Sequence, residues 1–243
     1  MADLAILKIG GSVLTNLPAY QTTARFLRDE VVRTHSRLVV VVSAEDGQTD
    51  RLRAEADVLS DNPDSDALDL LWSTGELRSV ALLTLALRAE GVSAAGLNVH
   101  ETGLRVSTPP GQRPDPSHLT LNPLPLRAAL QRCAVVVVPG FLAVSRQQVV
   151  TLGRGGSDWS AVALAAALGA ARCELIKDVP GYFTADPGES HDAALIDHLT
   201  YATALLMADA GCPLVQRQAI DHAQQAQLPL IIRNFVSRGT RVA

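Results

Sequence analysis

The run Thr151-Leu152-Gly153-Arg154-Gly155-Gly156-Ser157-Asp158 gathers glycines, a fixed cation, a hydroxyl and a carboxylate immediately ahead of an apolar stretch, Ala161 to Leu168. Glycines permit positive φ and let backbone N–H groups come close to a ligand, and the helix expected after them offers an N-terminus that favours negative charge. Arg154 can grip a carboxylate through two parallel hydrogen bonds. The plain alternative is a glycine-rich turn capped by Ser157 and Asp158, but an arginine between glycines is harder to account for that way. The glycine spacing matches neither the dinucleotide fingerprint nor a phosphate-binding P-loop.

Four further segments have chemistry-bearing residues. Lys8-Ile9-Gly10-Gly11-Ser12 closes the first apolar strand, where open α/β sheets place their ligands, and puts an ammonium beside exposed amides. Val42 to Asp50 follows a second strand, with the Ser43 and Thr49 hydroxyls about a helix N-cap. Ser73-Thr74-Gly75-Glu76 sets a carboxylate in an apolar, helix-like segment, where Gly75 costs roughly 1 kcal/mol without a structural return visible in the sequence. Lys177-Asp178-Val179-Pro180-Gly181-Tyr182-Phe183-Thr184-Ala185-Asp186-Pro187 follows a buried strand and, taken alone, reads as a surface turn with an apolar flap.

These segments need a scaffold of alternating strands and helices. Strands are expected at Leu4 to Ile9, Leu38 to Val42, Ala134 to Val138, Cys173 to Ile176 and Pro229 to Arg233. Helices are expected at Ala24 to Thr34, Asp66 to Glu90 (with Thr74-Gly75 a candidate break), Leu124 to Arg132, Trp159 to Leu168, Ala202 to Ala210 and Arg217 to Gln225. The pattern predicts a largely parallel sheet covered by helices. Ser107 to Asn122, rich in proline, reads as a surface excursion.

With 243 residues, 47% of them hydrophobic, the chain suffices for one large α/β domain or two closely packed lobes. A formal net charge of −4 with no basic stripe argues against nucleic acid as a partner. The longest apolar runs fall short of the roughly 20 residues of a membrane span, and no secretory signal precedes the first strand, so a cytoplasmic protein away from membranes is expected. Cys133, Cys173 and Cys212 are widely separated, which points to neither a disulfide framework nor a zinc site.

Together and in this order the five segments resemble the catalytic domain of aspartate kinases, in the amino-acid kinase family, from Leu4 to Val242. The most specific matches are Ser73 to Glu76, Thr151 to Asp158, Asp178 to Gly181 and Thr184 to Pro187. The resemblance implies a three-layer α/β/α sandwich spanning 1–243. Its N-terminal lobe, about 1–145, would bind the amino acid and its C-terminal lobe, about 146–243, ATP with Mg2+. It implies that Lys8 meets the transferred phosphate, that Asp158 organises the catalytic lysines, and that Gly10, Gly11 and Ser12 form the loop near the phosphates. Glu76 would receive the substrate ammonium and Arg154 a substrate carboxylate, with Ser43, Thr49 and Ser157 in support. Lys177, Asp178 and Phe183 would lie on the nucleotide side. A homodimer is the expected assembly.

The departures from the family fall mainly on that nucleotide side. Lys177 stands where aspartate kinases usually have threonine, Phe183 where they have tyrosine, Gly188 where an arginine is common, and Pro213 where the nucleotide-contacting lysine belongs. Two readings follow: Lys177 replaces the missing cation in an active kinase for aspartate or a close analogue, or the chain is a catalytically weak binding subunit. A kinase for another small amino acid, amine or phosphate substrate is a further alternative. The chain ends where regulatory ACT domains would begin, so the expectation is no feedback inhibition by lysine or threonine through this chain alone.

Overall fold

Side chains on a strand alternate between the two faces of its sheet, and the longest apolar runs here supply both faces at once. The computed structural model describes residues 3–107, 118–153, 155–190, 192–212 and 214–243. Its strands are β1 (Leu4–Ile9), β2 (Arg37–Val42), β3 (Ala94–Gly96), β4 (Leu104–Val106), β5 (Leu119–Leu121), β6 (Val135–Pro139), β7 (Leu142–Ser145), β8 (Gln148–Thr151), β9 (Arg172–Ile176), β10 (His198–Leu199), β11 (Leu230–Arg233) and β12 (Thr240–Val242). Its helices are α1 (Leu17–Thr34), α2 (Gln48–Leu59), α3 (Ser65–Ala89), α4 (Leu124–Arg132), α5 (Gly156–Leu168), α6 (Tyr201–Asp209) and α7 (Arg217–Gln225).

Eight strands form the central sheet in the order β10-β12-β11-β9-β1-β2-β6-β3, parallel throughout except where β12 runs against β11. Alternate residues of the same strands feed two cores. Ile6, Val39, Val41, Val136 and Val138 pack with residues of α4, α5 and α7, while Leu7, Ile9, Val40, Val42 and Val137 pack with α1 and α3. The result is a three-layer α/β/α sandwich. A smaller sheet, β5-β4-β7-β8, lies outside it, and the 145/146 position falls in the turn of its β7–β8 hairpin.

Several expectations need correction. Helix α1 begins at Leu17, seven positions earlier than Ala24, because Asn16 caps it by accepting from the Ala19 N–H at 3.0 Å and Pro18 fits the first turn. Helix α3 passes through Thr74-Gly75 unbroken. A Cβ at Gly75 would lie 3.0 Å from the Ala44 Cβ and 3.3 Å from the Gln48 Cγ, so the glycine lets α3 lie against the loop after β2 and the start of α2. By length and composition α3 is apolar enough to span a bilayer, yet Leu68, Val80, Leu83 and Leu87 are buried within the protein and Glu76 sits mid-helix. Of the Ser107 to Asn122 excursion, residues 108–117 lie outside the described residues, and its far end forms β5 against β4.

Under α1, charge replaces hydrocarbon. Arg233 on β11 reaches the Glu174 carboxylate on β9 at 2.6 Å and Glu30 of α1 at 3.4 Å, while Arg172 joins the same two carboxylates at 3.1 and 3.4 Å. The Phe26 ring covers the Arg233 guanidinium, 5.1 Å from its centroid. Glu174 and Glu30 are both buried, so removing one carboxylate strands buried guanidinium charge. Glu174→Ala is expected to cost about 3–5 kcal/mol in urea denaturation; a loss below about 1 kcal/mol, the level of an exposed pair, would show the cluster to be well solvated.

Candidate active site

The central strands end along one edge of the sheet, with Ile9 level with Val42 and Ile176, and Val42 level with Pro139. Open parallel sheets bind ligands outside this carboxyl edge, and here the loops that leave it enclose a cleft of about 710 Å³. Its walls include Lys8, Gly11 and Ser12 after β1, Ser43 to Gly47 after β2, Glu76 on α3, Phe141 after β6, the turn before α5, and Lys177 after β9.

Strand alternation puts the two lysines together. Lys8 follows Ile6 on the face of β1 that meets α5, and Lys177 continues the Cys173, Leu175 series onto the same face. The Lys177 N–H donates to the Arg233 carbonyl at 2.9 Å, which extends the β9–β11 pairing to this residue. Opposite them, α5 is buried along nearly its whole length, and its first turn brings Asp158 against both strands. Lys8 Nζ lies 2.8 Å from Asp158 Oδ1 and Lys177 Nζ 2.8 Å from Oδ2, so one carboxylate bridges two ammoniums.

Burial alone would raise the Asp158 pKa, but Lys8 and Lys177 outweigh it and bring the carboxyl down to about 2. Burial lowers the Lys8 pKa, against the opposing pull of Asp158 and with the help of the neighbouring Lys177 charge. The trio therefore has a surplus positive charge in a poorly solvated place, which an anionic ligand would stabilise. Asp158 is no helix cap: Gly155 takes the N-cap position, and the carboxylate is committed to the lysines.

At the other end of the cleft Glu76 is 3% exposed. Its Oε1 accepts from the Ala44 N–H at 3.3 Å, and its Oε2 has no hydrogen-bond partner among the described residues. Burial raises its pKa to about 7, with the Ala44 N–H pulling the other way. The loop after β2 is tied to the same helix by Arg78, which ion-pairs with Glu45 at 2.5 Å. Trp72, one turn before Glu76, meets Phe141 edge-on with ring centroids 6.4 Å apart, and both line the cleft.

Lys8, Gly11, Ser12, Ser43, Thr49, Glu76, Ser157, Asp158 and Lys177 thus line one cleft. Thr49 lies in the first turn of α2, behind the N-cap Gly47. Gly10 adjoins the lining, its N–H bonded to the Ile176 carbonyl at 3.1 Å. Asp178 stands just outside it and accepts from the Ser12 hydroxyl at 2.8 Å, joining the two loops. Phe183 is absent from the described lining of this cleft and forms a β-bridge with Leu195. Arg154 and Pro213 lie outside the described residues. Trp72, Phe141 and Gln216 were not expected from the sequence, while Thr151 opens the glycine-rich run already singled out there; the position of Trp72 four residues before Glu76 on a helix was the available signal for one of them.

The chain belongs to the amino acid kinase family, whose model matches residues 3–234, and its parallel sheet covered by helices on both faces matches the fold of a solved relative. Within that family it is similar to proteins named for one amino acid. It is 37% identical to an aspartokinase of Thermus thermophilus over 96% of this chain and 57% of that protein. Among solved structures, aspartate kinase from Synechocystis superposes with a TM-score of 0.85 at 34% identity, covering 99% of this chain and 39% of that one. Aspartokinase III of E. coli in complex with aspartate and ADP does so with 0.82 at 26%, covering 99% and 64%. The chain spans little more than half the length of the Thermus relative.

Proposed function

We propose that this chain is the catalytic part of an aspartate kinase, transferring the γ-phosphoryl group of ATP to the side-chain carboxylate of aspartate or a close analogue. The observation that carries the reading is that one cleft holds both a buried carboxylate with an unpartnered oxygen, Glu76, and a lysine pair on a shared aspartate. The first suits an ammonium and the second a phosphoryl group. The likeness to aspartokinases over 96% of the chain supports the choice of amino acid.

The substrate ammonium pairs with Glu76, at the N-lobe end of the cleft. The side-chain carboxylate, with an ordinary pKa of about 4, is already a nucleophile at neutral pH and needs no general base. Asp158, held at about 2, is unsuited to take a proton and serves to aim Lys8 and Lys177. A carboxylate oxygen forms a bond to the γ-phosphorus as the bond from phosphorus to the β–γ bridging oxygen breaks, and ADP leaves with the electron pair. No proton moves in this step. Lys8, Lys177 and the first-turn amides of α5 compensate the charge on the phosphoryl oxygens. Magnesium on a nucleotide is held largely by the phosphates with one or two protein carboxylates, and Asp178, exposed beside Ser12, is the carboxylate suited to that place. When bound, the ion would supply further charge compensation.

One departure in the nucleotide half has a structural counterpart in this reading. Lys177 provides the second cation from β9, and its 2.8 Å contact with Asp158 supports that role over a vestigial one. Incubation with Mg-ATP, aspartate and hydroxylamine is expected to yield aspartyl hydroxamate. Hydroxamate from glutamate alone would keep the kinase and change its substrate, and no product from any acidic amino acid despite measurable nucleotide binding would favour a non-catalytic binding subunit.

A further inference from the structure

Gln216 stands at the junction where the chain turns into α7, and its side chain lines the cleft alongside Lys8, Asp158 and Lys177. It occupies the N-cap position of that helix without capping it, unlike Asn16 and Thr200, whose side chains do accept from first-turn amides. Its methylenes lie instead on Gly155, the N-cap of α5. A Cβ at 155 would fall 2.0 Å from the Gln216 Cγ, and Gly155 has a φ of 75°. Position 155 is thus closed to any side chain, both by conformation and by Gln216 itself.

The backbone around Gln216 is fixed on both sides. Val215 is 1% exposed, and Arg217 pairs with Asp209 at the end of α6 and with Asp221 on α7. A glutamine held this way lays a neutral amide over the first turn of α5, where the Gly156 and Asp158 N–H groups bond to the Gly153 and Gly155 carbonyls and the positive end of the helix dipole favours an anion. No hydrogen bond engages that amide among the described residues.

Resting on the kinase reading above, we propose that the Gln216 carboxamide is a further phosphate-binding group, donating an N–H to a phosphoryl oxygen of the bound nucleotide between the α5 N-terminus and the two lysines. An amide suits the position because it adds donors without a third positive charge next to Lys8 and Lys177. Gly155 is then matched to its neighbour: it makes room for the side chain that completes the phosphate cradle.

The test is the binding of Mg-AMP-PNP by calorimetry, which needs no turnover, together with KM for aspartate. Gln216→Met keeps the methylenes over Gly155 and removes the amide, and is expected to weaken nucleotide binding about fivefold to tenfold, the range of one lost hydrogen bond. Gln216→Glu places an anion beside the phosphates and is expected to weaken it by more than about tenfold. In both variants KM for aspartate and the thermal midpoint should stay near wild type. Unchanged nucleotide affinity in both, or an effect confined to KM for aspartate, would overturn the assignment. Failure of the kinase reading would show differently: wild type would bind Mg-AMP-PNP without forming hydroxamate, or would bind no nucleotide at all.

Discussion

Replacing Lys177 with methionine lowers kcat by about 10²–10³-fold, the usual consequence of removing one preorganised positive donor from a transfer site. The ammonium lies 2.8 Å from Asp158 Oδ2 while Lys8 holds Oδ1. Without Lys177 the buried trio changes from two cations and one anion to a neutral pair. Lys8 is then drawn fully onto Asp158, and the surplus charge that favoured the phosphoryl group is gone. KM for aspartate should change by no more than about twofold, because Glu76 and the loop after β2 are untouched and a loss confined to the transition state leaves substrate binding alone. Initial rates across a range of both substrates separate these effects. Near-normal kcat would make Lys177 a structural partner of Asp158 only.

Glu76→Gln raises KM for aspartate roughly 10²-fold while stabilising the free protein. A buried carboxylate that pairs with an ammonium is worth about 2–5 kcal/mol when one partner is removed, and glutamine keeps the shape of Glu76 without its charge. The wild-type KM for aspartate should itself rise as pH falls below about 7, where Glu76 becomes protonated, whereas that of the variant should not. The effect on stability has the opposite sense. Because burial raises the Glu76 pKa from 4.5 to about 7, its neutral form suits the fold, and stability present below pH 4.5 is lost as pH rises through about 7. That difference is about 3 kcal/mol, so Glu76→Gln should be the more stable protein at about pH 8 and nearly equal to wild type at about pH 4. Equal stability at both, with KM unchanged, would remove Glu76 from the site.

The same residue explains what the sequence made legible. Glu76 drew notice as a charge in an apolar helical segment, and the strands as runs such as Leu38-Val39-Val40-Val41-Val42, because burial on both faces leaves no polar alternation. Helix α2 was signalled only by the N-cap expected near Thr49, and its body was missed because it buries only Leu52 and Ala56 and its outer face is polar. The β7–β8 hairpin gave no turn signal. Its two-residue turn needs positive φ, usually met by Asn-Gly, but here Arg146 and Gln147 adopt 48° and 73°. Gly75 was misleading for a related reason, since its close approach to Ala44 is a tertiary fact that no local pattern records. In the site, Lys8 and Asp158 could be named from their motifs. Their joint pairing with Lys177 depends on which face each strand turns to α5, and Gln216 depends on a contact with Gly155 from a different part of the chain.

If acyl phosphate formation is the chemistry of this cleft, an oxygen of the substrate side chain must end on phosphorus. The most direct measurement uses aspartate labelled with heavy oxygen in its side-chain carboxylate, together with Mg-ATP and hydroxylamine, and reads the released inorganic phosphate by phosphorus NMR. Attack by the carboxylate makes one labelled oxygen the bridge between carbon and phosphorus, and hydroxylamine then breaks the carbon–oxygen bond. The expected result is phosphate with one heavy oxygen, formed in step with hydroxamate and strongly reduced in Lys8→Met. Phosphate with only light oxygen, or none above the rate without protein, would contradict the account.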